Sequence, residues 1–156
     1  MRHGARGFTL IELAVVILLL VIILAMVGLK SGDDDTDAVR NESERLALLL
    51  QTAQQEAILQ GEVIAVELSA EGYQFAKLND KNEFQPLSQD EILRARQLPE
   101  GVILQTAEGG GETKDAGIVF MPSGELTAFT ITFSRGKAQW HVEGKANGEI
   151  KPAPRV

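Results

Sequence analysis

The sequence predicts an α+β fold: one long N-terminal helix packed on a C-terminal antiparallel β-rich region. Two observations carry this. Apolar residues from Phe8 to Gln60 are either continuous or recur in three- and four-residue steps, as on a helix. From Glu62 onward they alternate in steps of two, as on half-buried strands, and turn signals separate the runs. Four stretches follow: a basic leader at 1–7, an apolar helical part at 8–30, an amphipathic helical part at 31–60 and a β-rich domain at 61–156.

Between Phe8 and Leu29 the only charge is Glu12. A helix of that length spans about 33 Å at roughly 1.5 Å per residue, about one hydrocarbon core. Arg2 and Arg6 precede the run, and Lys30 alone follows it before the acidic stretch "GDDDTD". Positive charge ahead of an apolar helix holds that end in the cytoplasm, so the rest of the chain is expected outside it. No A-x-A-like cleavage site follows the run. Glu12 is the anomaly. A carboxylate inside a membrane costs ~2.5–3.5 kcal/mol if central and less near an end. None of the apolar residues after it supplies a cation. The natural partner is a free α-amino group, which a cut between Gly7 and Phe8 would create.

The rest of the chain reads as follows. "AVRNESERLALLLQTAQQEAILQG" is amphipathic, with a stripe of Val39, Leu46, Leu50, Ala53 and Ala57 that Leu49 and Ile58 widen. Gly61 is the stop. "EVIAVEL" and "GYQFAKL" form a hairpin around "SAEG". Ser88 and Glu91 stand at capping-box spacing, which predicts a short helix or turn ending before Pro99. "GVILQTA" is a strand and "EGGGETKD" a loop. Ile118–Met121, Leu126–Ser134 and Ala138–Gly144 are three more strands, joined by a type I turn at "PSG" and a second turn at "RGK". The tail "KPAPRV" is expected to be irregular.

Composition narrows the chemistry. With no cysteine there is no disulfide, thiolate metal site or cysteine nucleophile. The net charge is −7 and becomes more acidic without Arg2 and Arg6, which argues against a nucleic-acid partner. The adjacent aspartates of "GDDDTD" lack the alternate spacing of a calcium loop and suit a solvated junction or helix start. The three glycines at 109–111 lack the lysine and hydroxyl residue of a phosphate-binding loop. His3 lies in the leader, and His141 beside Trp140 reads as structural. No serine has a nucleophile-elbow context and no carboxylates form a recognisable catalytic pair. The chain is expected to be no enzyme and to need no cofactor or metal. Lys137, Lys145, Lys151 and Arg155 are interleaved with Glu143 and Glu149, which reads as a mixed solvated surface.

"RGFTLIEL" followed by a long apolar run resembles the N-terminus of type IV pilins and pseudopilins. The resemblance implies that a membrane prepilin peptidase cuts after Gly7 and that Phe8 becomes N-methylated. It also implies that Glu12 serves subunit assembly. In low dielectric, Glu12 of one subunit and the amine of a neighbour's Phe8 would attract strongly and act as a register device. The long helix with "RLALLLQTAQQEAILQG" and the later "IVFMPSGELTAFTITF" resemble the H-type minor pseudopilins of type II secretion, a group that includes fimbrial-type minor pilins. That likeness covers most of the chain, loosely in 79–116. It implies a pilin-like fold with a β-sandwich on the second half of the helix. The major pseudopilins match less well: they carry a proline after the core of the apolar segment, where this chain has Gly28 and Leu29. The implied partners are other major and minor pseudopilins, the prepilin peptidase and the inner-membrane assembly platform of secretion. The implied location is the bacterial inner membrane, single-pass, with a periplasmic C-terminal domain. The alternative is a minor type IV pilin in pilus assembly or DNA uptake.

Intact mass of the protein from its native membrane should show loss of residues 1–7 and one added methyl group on Phe8. Gly7→Val should block the cut. A native chain still starting at Met1 contradicts this reading.

Overall fold

The computed structural model describes residues 10–107 and 117–154; within the helix, the side chains of 25–33 are not described. The chain divides into two compact units, Met1–Asp34 and Asp35–Val156. Helix α1, Leu10–Gln60, contributes to both.

In the second unit α1 ends as its sequence requires. Gly61 takes φ 69°, and the Glu62 amide donates to the Ala57 carbonyl at 3.0 Å. This is the Schellman closure, which needs a left-handed residue and so favours glycine. The buried stripe is Val39, Leu46, Ala47, Leu49, Leu50, Ala53 and Ala57. Ile58, placed in that stripe by its spacing, is exposed. Two polar residues, Glu42 and Ser43, are buried instead.

The strands are β1 (Ile64–Leu68), β2 (Gly72–Leu78), β3 (Phe84–Pro86), β4 (Arg96–Gln97), β5 (Ile103–Ala107), β6 (Ile118–Phe120), β7 (Phe129–Arg135), β8 (Ala138–Gly144) and β9 (Ile150–Pro154). They form two sheets in which every recorded pairing is antiparallel. The first runs β3-β2-β1-β6, with β4 also on β2. The second runs β5-β7-β8-β9. One apolar core joins the helix stripe to both: Val66, Phe75 and Phe120 from the first sheet, Ile131, Phe133 and Val142 from the second.

The β1–β2 hairpin, β5 and the three strands β6, β7 and β8 lie where alternation places them, although β7 begins at Phe129 rather than Leu126. The "PSG" turn closes with the Gly124 amide donating to the Met121 carbonyl at 3.0 Å. Gly136, first of the two residues between β7 and β8, has φ 57°, the position where a two-residue hairpin of the II′ kind takes glycine. The loop predicted at "EGGGETKD" lies outside the described residues.

Of the two forms expected at 88–95, a short helix or a turn, the structure takes the turn. The organiser is Asp90, whose carboxylate accepts from the amides of Ile92 and Leu93 at 2.8 and 2.7 Å. Such local bonding competes with helix, and it sets Leu93 fully into the core before the chain extends into β4. The tail is not irregular: Ile150–Pro154 is β9, paired with β8 from Gly144↔Ile150 to Trp140↔Pro154. β9 is an edge strand, so Pro152 and Pro154, two residues apart, can turn their missing donors to the same outer side. Lys151 and Ala153 then carry the ladder, and the prolines block further strand addition.

Polar contacts stitch α1 to the second sheet. The Gln51 amide donates to the Ile150 carbonyl at 2.7 Å. Asp35 pairs with Arg135 at 3.0 Å. The Arg40 guanidinium lies 5.9 Å from the Trp140 ring centroid, a cation–π distance.

Gly144 sits against the buried ring of Phe129, and a Cβ there would come within 2.2 Å of its Cε1. Gly144→Ala should therefore destabilise the protein by ~1–3 kcal/mol in chemical denaturation, with the fold retained. Residues from Ser31 onward should fold alone, with a mixed α/β circular dichroism spectrum. A mostly helical spectrum contradicts the strand assignments in solution.

Candidate functional site

In the first unit every residue from Leu10 to Leu24 is exposed, and all but Glu12 are apolar. A helix surrounded by water shows one polar face. Here Leu13, Ile17, Leu20 and Leu24 run down one side while Val15, Leu18 and Ile22 run down another, with exposures from 46 to 70%. Burying a side chain of this size contributes ~1.5–3 kcal/mol. The surface as a whole thus represents tens of kcal/mol available to lipid or to other apolar helices. Glu12 stands near the start of the described part of α1.

Gly7 and Phe8, the predicted processing residues, lie outside the described residues. Among the described residues no helix is long and apolar enough to cross a membrane. The predicted span, 8–30, extends at both ends past the side chains that are described. Among the described residues no group of three or more histidines or carboxylates is placed to hold a metal ion.

The second unit holds a buried polar cluster that periodicity did not reveal. Glu42, 2% exposed, accepts from the Tyr73 hydroxyl at 2.9 Å through one oxygen and from Arg45 at 2.9 Å through the other. Tyr73 is brought there by β2, beside Phe75 in an edge-to-face contact at 6.2 Å. Burial pushes the Tyr73 phenol well above its ordinary range, and the neighbouring Glu42 carboxylate pushes it further. The hydroxyl therefore stays protonated and serves as a donor, not as a nucleophile. The sequence signal was slight: "NES" follows the stripe's spacing as well as any apolar triplet, but polar residues are read as outward.

His141 is half-buried on β8, opposite Thr132 and Ala153. Lys145 and Lys151 both pair with Glu149, whose carboxyl is held below its ordinary range by the Lys151 hydrogen bond first and by Lys145 in addition. The β8–β9 hairpin thus carries its basic groups against an acid, a mixed surface rather than a cationic patch. Arg155 lies outside the described residues.

Comparison with known proteins agrees with these features. A family model described as type II transport protein GspH matches residues 42–148, and one described as the prokaryotic N-terminal methylation motif matches residues 2–28. The type II secretion system protein H of Aeromonas hydrophila is 27% identical over 152 residues, covering 86% of this chain and 83% of that protein. Its namesake from Pseudomonas aeruginosa is 29% identical over 146 residues, covering 83% of each. Among solved structures, the minor pseudopilin EpsH of the Vibrio cholerae type II secretion system superposes with a TM-score of 0.67 at 25% identity, over 78% of this chain and 97% of that one. The type IV minor pilin FimU of Pseudomonas aeruginosa gives a TM-score of 0.55 at 18% identity, over 74% of this chain and 88% of that one, and so shares the fold alone.

The chain has a single tyrosine, so tyrosinate absorbance reports Tyr73 directly. In the unfolded chain it should ionise near pH ~10; in the folded protein it should not ionise until well above that. Because the folded value is the higher one, the stability it contributes is complete below pH ~10 and is lost as pH rises further. Ionisation at the ordinary pH with the fold intact contradicts the buried bond to Glu42.

Proposed function

We propose a function from one premise: the chain belongs to the GspH family of type II transport proteins, whose model matches residues 42–148. It is a minor pseudopilin of a type II secretion system, a structural subunit of the periplasmic pseudopilus that helps move folded proteins across the outer membrane. The observation that carries this is the pairing, in one chain, of an H-type domain with an apolar helix bearing a lone Glu12. The family is structural, and the chain's part is to fit among other subunits rather than to transform a substrate.

The prepilin peptidase cuts between Gly7 and Phe8, and Phe8 is N-methylated; the methylation motif over residues 2–28 supports this. The apolar part of α1 anchors the subunit in the inner membrane, with its N-terminus cytoplasmic and its C-terminal domain periplasmic. The subunit then moves from lipid to a filament of other major and minor pseudopilins, in contact with the inner-membrane assembly platform. Both surroundings satisfy a helix that is apolar all round. In the filament, the amine of a neighbour's Phe8 offers Glu12 a cation in low dielectric.

Glu12→Gln keeps the side chain's shape and removes its charge. Membrane insertion and processing should continue, since Gly7 and the basic leader are unchanged. Co-purification with other pseudopilins should fall on the order of tenfold or more, because the neighbour's amine then loses its buried counter-charge. Unchanged co-purification and secretion would refute charge pairing as the reason for Glu12.

A further inference from the structure

We infer that Glu42 is a rotational pin: a buried carboxylate that fixes which face of α1 lies on the sheets. The apolar stripe by itself favours the Leu49 side only by a small angle, since at ~100° per residue Leu49 lies about 70° and Ile58 about 110° from its centre. At ~100° per residue, Val39, Leu46, Leu50, Ala53 and Ala57 fall along the middle of the buried face. Leu49 lies at one edge of it and Ile58 at the other. A turn of the helix by about half a residue step would exchange them, burying Ile58 and uncovering Leu49. The two side chains are of equal size and apolarity, so the exchange changes buried area little. Yet the structure chooses: Leu49 is 5% exposed and Ile58 47%.

Glu42 stands on the Leu49 edge, seven residues before it. Its two oxygens are taken by Tyr73 from β2 and Arg45 from the next turn. Turning α1 toward Ile58 carries Glu42 away from the hydroxyl of Tyr73, a residue only 3% exposed. That leaves two buried polar groups unpaired, a much larger penalty than exchanging one aliphatic side chain for another. On the other edge Gln51 makes a neutral bond to the Ile150 carbonyl and Arg40, half in solvent, lies over Trp140. A buried charge of this kind adds little net stability against an apolar replacement but penalises every arrangement in which its partner is lost. The pin also decides what α1 shows to solvent: Leu48 and Leu59, 64 and 83% exposed, lie on the side opposite the stripe.

The chain has no cysteine, so one introduced thiol reports one position. In the full-length chain in detergent, the Ile58→Cys thiol should react with a maleimide about tenfold or more faster than the Leu49→Cys thiol. In a Glu42→Met background the two rates should come within about threefold with the circular dichroism spectrum retained, and with a lower melting temperature because the Tyr73 hydroxyl loses its acceptor. Glu42→Gln keeps an oxygen for Tyr73 and should keep the native ratio. Should Glu42→Met fail to fold, the double variant Glu42→Met/Tyr73→Phe removes both partners and gives the same reading. A native ratio in either apolar background overturns the proposal, since packing alone would then set the rotation. Failure of both to fold overturns it too, because the pair would then supply stability rather than orientation.

Discussion

The structure depends on how α1 distributes its apolar surface. Between Val39 and Ala57 that surface is a stripe, and a stripe can be satisfied within one chain: two antiparallel sheets cover it. Between Leu10 and Leu24 it runs right round the helix, and the residues described there are all exposed. The first arrangement makes a domain. The second makes a requirement for lipid or for other subunits. Minor pseudopilin function follows from joining the two on one helix.

Polar groups add specificity to both parts in similar ways. Glu12 is a single carboxylate in an apolar helix, and Glu42 a single carboxylate in the domain core. Glu42 costs something to hold away from water and restricts how the helix lies on the sheets, and we propose the same part for Glu12 in the filament. Glu42 has its partner within the chain, in Tyr73, and so orients the helix on the sheets. Glu12, in the proposed filament, finds its partner on a neighbour.

Much of this was legible in the sequence because it rests on periodicity. The change from a helical period to alternation at Gly61 and Glu62 located the end of α1 and the start of the sheets. What escaped was decided by particular side chains. Pro152 and Pro154 argue against a strand until their two-residue spacing is seen to suit an outer edge. At 88–95, where the sequence allowed a short helix or a turn, Asp90 draws backbone amides to its own carboxylate and decides for the turn. β3 and β4, of three and two residues, are too short to show a period. Ile58 and Leu49 both flank the stripe by spacing, and the long-range bond from Glu42 to Tyr73 stands on the Leu49 side. At the candidate assembly site, Glu12 was conspicuous for a simpler reason: it is the one charge in an apolar run.

The central claim is that the all-round apolar part of α1 is an assembly surface and not merely an anchor. A photo-crosslinking residue in place of Leu13, beside Glu12, tests it most directly in secreting cells. The account predicts covalent adducts with the N-terminal helices of other pseudopilins, and none from the same probe at Ile131, which is wholly buried in the domain core. A Leu13 probe that forms adducts with lipid alone, in cells that still secrete, would contradict it.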